Sequence, residues 1–470
     1  MSDDIHLLSL AELADAIATR ELSAVEVMTA TVARAERLQP VLNCFISLQA
    51  EAALESAAAA DAQLARGEAP GPLQGVPLAH KDMFYRAGHV TTCGSRIRRD
   101  FVPDHDSTAL ARLHSAGAIY LGGLNMAEFA TGPTGHNEHW GDCRNPWNQD
   151  HISGGSSSGS GASVAGRVVF GALGSDTGGS VRLPSACNGV VGLKPTSGLI
   201  SRHGIMPLSH TLDTVGPLTR TVRDAARLVS VIAGHDPRDP TSSSRPVPDY
   251  EAALAEGAQG LRVGVPTSYF YDLATDEVRA LMERSLDVLR DCGVTVVEVP
   301  VPDIERINNL SNVVLSSEAA AIHEPWLAGR PEDYQEQVRN RYEPGLHVPA
   351  VKYIQALAAR AGLLREFVDT ALAGVDALHT PAIPFPIPTR AETNVGGGER
   401  MAAMVAGLSA CTRAANYLGG PGLIVPCGFT GSGLPAAFQL MGRPFSEATL
   451  FRLGHAYQQA TDWHTRAPDL

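Results

Sequence analysis

The chain has 470 residues, a length that allows about three units at roughly 150 residues each and a core that needs no disulfide or metal staple. Hydrophobic residues make up 44% and charged residues 19%, a globular composition that excludes disordered and collagen-like classes. The formal net charge of −13 argues against polyanion binding by the chain as a whole, so a nucleic-acid role would need a local basic patch.

The N-terminal Met1-Ser2-Asp3-Asp4 is acidic and lacks a basic n-region and an apolar h-region. No run of about 18 apolar residues is present, so no membrane-spanning helix is expected. Seven widely spaced cysteines with no C-x-x-C favour free thiols, and the expected compartment is the cytoplasm.

Ser9 with Glu12 and Ser23 with Glu26 form two S-x-x-E capping boxes, each followed by helix-period apolar residues. Residues 51–66 are alanine-rich and predict another helix. From Gly71 onward short apolar runs alternate with helical patterns. The runs include Gly75–Ala79, Ala118–Leu121 and Val168–Leu173, and Ser107–Ala116 is a helical stretch between two of them. This alternation predicts an α/β sheet covered by helices. Residues 236–248 read as a surface connector, 261–265 and 294–299 as strands, 303–375 as mostly helical, and 379–400 as a long Pro- and Gly-rich loop. The last segment, 401–470, returns to helix and strand.

Two segments carry candidate chemistry. Ser153–Gly161 is a Ser/Gly run whose bland reading is a flexible linker, although it lies between strand and helix patterns. A phosphate loop is disfavoured because no lysine follows the glycines. Its Gly155–Gly159 stretch matches the G-x-S-x-G elbow by letter, but Asn148-Gln149-Asp150-His151 precedes it where the elbow needs an apolar strand. The second segment is Gly174–Pro184. There Gly178 and Gly179 lack side chains, so their N–H groups can converge on one point, and Ser180 follows at a helix start. Such a concavity stabilises an oxyanion. For an isolated Gly-Gly-Ser, a plain capping serine is the commoner meaning.

A serine nucleophile needs a base. His136 and His139 form an H-x-x-H pair that could touch a metal, although such pairs usually sit on solvated surface. Lys81 closes the apolar run Val76–Ala79. It is either a strand-end charge paired with Asp82 or a buried amine whose lowered pKa makes it a competent base.

These residues resemble the amidase signature family. The likeness rests on Gly154–Ser157, the block Gly174–Thr196, the lysine of Ala79–Asp82, Asn125–Ala130, Arg144–Trp147, Asp213–Arg220 and Pro421–Gly442. It spans nearly the whole chain, densest between 71 and 235. The resemblance implies one amidase signature domain over 1–470, with N-terminal helices 1–70, a catalytic core 71–235 and a variable pocket region 303–400. It implies a large mixed twisted β-sheet of about eleven strands sandwiched between α-helices. It also implies a Ser–cis-Ser–Lys triad: Ser180 the nucleophile, Ser156 the bridging serine, Lys81 the base. The oxyanion hole would comprise the N–H groups of Thr177, Gly178, Gly179 and Ser180. Ser157, Asp176 and Arg182 would brace the loops, and Thr131, Gly132 and Pro133 would help build the substrate pocket.

The activity so implied is hydrolysis of a carboxylic amide through an acyl-enzyme, without metal or cofactor. Carbamates, hydrazides and esters are related substrates. The alternative is the glutaminase component of a tRNA-dependent amidotransferase. Those components carry an acid about seven positions before Asn416 to grip the substrate ammonium. Here Ala406–Thr412 holds no acid, which disfavours that role. A binding module without catalysis is a third class, opposed by the intact Lys81, Ser156 and Ser180. The expected partner is a small-molecule amide, with no nucleic acid and no membrane, and a homodimer is allowed. Phe385-Pro386-Ile387 suggest a neutral or hydrophobic acyl group.

Overall fold

The computed structural model describes residues 5–470, so the acidic Met1–Asp4 lies outside the described residues. Eleven strands join one mixed sheet: β1 (Phe45–Leu48), β2 (Pro77–Lys81), β3 (Ile119–Leu124), β4 (Gly171–Asp176), β5 (Val191–Lys194), β6 (Thr214–Thr219), β7 (Arg262–Pro266), β8 (Thr295–Val299), β9 (Ala377–Pro381), β10 (Gly422–Phe429) and β11 (Pro435–Met441). Their spatial order is β1-β3-β2-β4-β6-β5-β10-β11-β9-β7-β8. β2 runs parallel to both β3 and β4, and β7 parallel to both β8 and β9. The central β4-β6-β5-β10-β11 stretch is antiparallel.

Strand alternation sends neighbouring residues into different cores. In β2, Leu78 joins one cluster and Ala79 another; in β4, Leu173 and Ala172 divide the same way. The first cluster packs against helices Val222–Ile232, Asp276–Asp291 and Glu447–Gln459. On the other face lie helices Ala24–Leu42, Ala50–Ala65, Ser158–Ala165 and Arg182–Asn188. Helices therefore cover both faces, as the resemblance implies. Lys81 shares strand parity with Ala79, so it faces the layer that contains helix Ser158–Ala165.

Local signals act as read in the N-terminal part. Both capping boxes are closed, at Ser9–Glu12 and at Ser23–Glu26, and start helices Leu10–Ala18 and Ala24–Leu42. The Ser/Gly run is not a linker. Every residue from Ser153 to Gly161 is buried, and helix Ser158–Ala165 starts inside it. Its glycines are required by close approach: a Cβ at Gly159 would lie 2.4 Å from the Cys44 carbonyl oxygen. The expected long loop at 379–400 is also broken up. β9 opens it, a capped turn of helix occupies Arg390–Thr393, and helix Gly398–Leu408 closes it. No described helix is long and apolar enough to cross a membrane.

Candidate active site

β2 carries Lys81 to the sheet's end with no solvent exposure. Asp82 is not its partner. That carboxylate accepts from the Thr92 amide at 2.9 Å and from the Thr92 hydroxyl. The Lys81 Nζ instead lies 2.6 Å from Ser156 Oγ and 2.9 Å from Ser175 Oγ. Ser175 belongs to the neighbouring strand β4, and sequence reasoning did not single it out. Parallel pairing of β2 with β4 brings the two together. Burial pushes the Lys81 amine down to about 7, against the pull of the Asp213 and Asp176 carboxylates. A second buried amine, Lys194, is likewise pushed to about 7, but its Nζ donates only to the carbonyls of Pro195 and Gly420, at 2.7 Å each. Among the described residues no hydroxyl accepts from Lys194, whereas Lys81 contacts two serine hydroxyls.

The Gly155–Ser156 peptide is cis. The loop around it is held on both sides: the Gly155 amide donates to the Pro133 carbonyl at 2.7 Å, and the Ala127 amide donates to the Ser156 carbonyl at 3.1 Å. Ser157 ties this loop to β4. Its Oγ donates to the Ser175 carbonyl and accepts from the Ser175 amide, both at 3.3 Å.

Ser180 enters through the backbone. The Ser157 amide donates to the Ser180 carbonyl at 3.3 Å, which sets the Gly178–Ser180 loop against the cis loop. The hydroxyls of Ser156 and Ser180 are not hydrogen-bonded to each other. In enzymes, hydrogen bonds between catalytic groups are often long without substrate and tighten when it binds, so this separation does not exclude the pair. Gly178 and Ser180 are the only residues of 171–180 that are not fully buried, so this loop meets its surroundings at those two positions.

Asp176 explains the loop's shape. Its two oxygens accept from the amides of Gly179 (2.8 Å), Val181 (3.1 Å) and Arg182 (3.3 Å). The Arg182 guanidinium adds bonds of 3.0 and 2.9 Å, and Asn416 Nδ2 one of 2.9 Å. Burial pushes the Asp176 carboxyl up, but Arg182 outweighs it and holds it well below the usual range. Gly179 is at φ +136°, and a Cβ there would lie 2.5 Å from Thr412 Oγ1, so glycine is required. The Gly179 amide is thus already bonded to Asp176. Among the described residues, the amides of Thr177, Gly178 and Ser180 meet no protein acceptor, which leaves these three of the four expected donors open. The Thr177 hydroxyl donates to Asp213 at 2.6 Å, which fixes that residue while leaving its amide free.

The other sequence candidates separate. Thr131 lines a cavity of about 500 Å³, while Gly132 and Pro133 buttress the cis loop. Phe385 and Ile387 do not line that cavity and pack in a separate apolar cluster with Leu183 and Ile424, so they say nothing about the acyl group. The H-x-x-H pair is not solvated surface. His136 binds Asp142 at 2.9 Å, and His139 binds Glu128 at 3.0 Å. Among the described residues no cluster of His, Cys, Asp and Glu could hold a metal ion.

A mixed eleven-stranded sheet with two glycine loops on one face, one of them cis-linked, defines an amidase signature fold. The chain belongs to the amidase signature family, whose amidase profile matches residues 26–451. It is 39% identical over 492 residues to a glutamyl-tRNA(Gln) amidotransferase subunit from Chloroflexus aggregans, covering 99% of each chain. Among solved structures it resembles a protein described in work on a vestigial protein complex and the origins of an s-triazine catabolic enzyme. That likeness has TM-score 0.90 at 33% identity and covers 96% of this chain and 98% of the other. The native peptide amidase from Stenotrophomonas maltophilia is similar at TM-score 0.84 and 32% identity, with 98% and 97% covered.

Proposed function

We propose that the protein hydrolyses a carboxylic amide C–N bond through an acyl-enzyme on Ser180. The observation that carries this reading is the 2.6 Å contact between a fully buried Lys81 amine and Ser156 Oγ. Neutral Lys81 takes the Ser156 proton while Ser156 takes the Ser180 proton, and Ser180 Oγ bonds to the substrate carbonyl carbon. The resulting oxyanion is held by the open amides among Thr177, Gly178 and Ser180, which are fixed before reaction and so need no reorganisation. Ser156 then passes its proton to the leaving nitrogen, because an amide anion is too basic to depart unaided, and protonated Lys81 restores the Ser156 proton. Water attacks the ester by the same relay and frees the acid. Ser157, Asp176 and Arg182 hold the two loops and touch no reacting atom.

The test is covalent. A fluorophosphonate probe should label Ser180 in the wild type and not in Ser180→Ala, and a panel of amides should be turned over by the purified chain. Absence of labelling at Ser180 would leave a binding module.

A second reading is favoured by the relatives named as glutamyl-tRNA(Gln) amidotransferase subunits. In that role the same relay would release ammonia from an amide donor within a larger assembly. The expectation of no nucleic-acid partner would then fail, because a net charge of −13 describes this chain's own surface and not that of an assembly. Against it, the 500 Å³ cavity is lined by no Asp or Glu that could pair with an amino acid's ammonium. A chain inert alone but active once its partner proteins are added would establish the second reading.

A further inference from the structure

Glu318 is a buried carboxylate that the relay does not use. It lies on helix Ile304–Gly329 and is only 5% exposed. A carboxylate taken out of water is costly unless hydrogen bonds replace its hydration. Three of the donors that do so come from one loop: the Thr211 amide at 3.0 Å, the Thr211 hydroxyl at 2.9 Å and the Ser209 hydroxyl. The Tyr353 hydroxyl adds a bond of 2.8 Å from outside the loop. Arg360 clasps the same loop, one terminal nitrogen donating to the Thr211 carbonyl at 3.0 Å and the other to the Asn416 carbonyl at 3.3 Å.

The loop so held carries Asp213. One Asp213 oxygen accepts from the Leu208 and Ser209 amides at 2.8 and 3.0 Å, and the other from the Thr177 hydroxyl at 2.6 Å. The Leu212 amide donates to Ser209 Oγ at 3.2 Å, so the hydroxyl gripped by Glu318 also shapes the turn before Asp213. The ionisable groups facing Lys81 are Asp213, Asp176 and Cys93, with Asp213 the strongest. Asp176 is locked by Arg182, and burial pushes the Cys93 thiol up to about 12, so it stays neutral. Asp213 is the one whose place depends on this loop. On its other side the loop meets the substrate cavity through Leu208, and Asn309, Asn312, Leu315 and Ser316 of the Glu318 helix line the same cavity. Glu318 therefore joins the helical wall of the cavity to the loop that faces the base.

We propose that Glu318 is a positioning residue for the relay: by gripping Ser209 and Thr211 it holds the 208–213 loop so that Asp213 keeps its bond to Thr177 and its place near Lys81. The inference rests on the amide-hydrolase reading above for its catalytic consequence. It touches no reacting atom and acts only through Asp213.

The chain has three lysines, Lys81, Lys194 and Lys352, so lysine labelled with carbon-13 at Cε gives few NMR signals, and Lys81→Met assigns the one from Lys81. Without the grip Asp213 moves away, the charge that favours protonated Lys81 weakens, and the Lys81 midpoint falls. Glu318→Ala should lower that midpoint by about half a pH unit or more. Glu318→Gln, which keeps an acceptor for the Thr211 amide, should lower it less. Tyr353→Phe, which removes the donor outside the loop, should leave it in place. In an Asp213→Asn background Glu318→Ala should bring no further fall, because the charge it positions is gone. The pH midpoint of Ser180 labelling by a fluorophosphonate should move with that of Lys81. If Glu318→Ala melts early, Ser209→Ala removes a loop donor and is measured in its place. A Lys81 midpoint unchanged or raised, an equal fall in Tyr353→Phe, a full further fall in the Asp213→Asn background, or a labelling profile that stays put while Lys81 moves overturns the proposal. Failure of Ser180 to label at all would sink the hydrolase reading instead, while the Lys81 signal still tests the grip.

Discussion

The proposed relay demands an uncharged lysine, and its pH dependence can be worked out from the surroundings of Lys81. An ordinary lysine is neutral in about one molecule in three thousand at neutral pH, whereas one titrating near 7 is neutral in about half, a gain of about a thousandfold in competent base. Lys81 reaches that condition through burial, with Asp213 and Asp176 working against it. The base is active when deprotonated, so activity is lost as pH falls through the Lys81 pKa. The rate of Ser180 labelling by a fluorophosphonate is the assay of choice, since it needs no known substrate. Below about pH 6 the rate should fall about tenfold per unit, and above about pH 8 it should level off. Lys81→Met should lower it by about a hundredfold to ten-thousandfold and flatten the profile. A rate still climbing above about pH 9 would mean that Lys81 titrates as an ordinary surface lysine, and the reasoning from burial would be wrong. An unchanged rate in Lys81→Met would move the base elsewhere.

Three further outcomes are expected. Asp213→Asn removes the strongest charge that favours protonated Lys81, so the labelling profile should shift to lower pH; a shift to higher pH would contradict the electrostatic account. Gly179→Ala should lose labelling, because its Cβ would meet Thr412 Oγ1 at 2.5 Å in a φ +136° backbone, whereas Gly178→Ala, with nothing nearer than 3.9 Å, should fold as the wild type does; thermal melts and labelling of both distinguish sterics from a general intolerance of the loop. Arg182→Leu strands the Asp176 carboxylate in the interior and should cost about 3–5 kcal/mol in urea unfolding; a loss no greater than that of a surface change, about 0.5 kcal/mol, would refute the bracing role.

The sequence made the elements legible where the signal is local. The capping boxes at Ser9 and Ser23 start helices as read, and the runs at 261–265 and 294–299 become β7 and β8. Boundaries moved where glycine and proline sit inside the sheet: the Gly75–Ala79 run gives way to β2 at Pro77–Lys81, two residues later, because pairing with β3 and β4 fixes the register. The Ser/Gly run misleads by composition, since its small side chains mark close packing against Cys44 and Asn125 and not flexibility. Ser175 was missed because its role depends on a parallel neighbour, which periodicity does not name.

Burial serves the proposed chemistry in two places through one physical effect. At Lys81 it removes the water that would stabilise an ammonium, and the nearby carboxylates do not restore it, so the amine is left poised as a base. At Asp176 the same dry interior would be prohibitive for a charge, yet six donor bonds, two of them from the Arg182 guanidinium, saturate both oxygens and keep it ionised. A carboxylate so fully occupied cannot compete with Lys81 for the serine proton. It can only hold the Gly178–Ser180 amides in a fixed orientation. The loop therefore owes its rigidity to a buried anion with every lone pair engaged, and the proposed relay owes its base to a buried amine that has two hydroxyl partners and, among the described residues, no carboxylate within ion-pair distance.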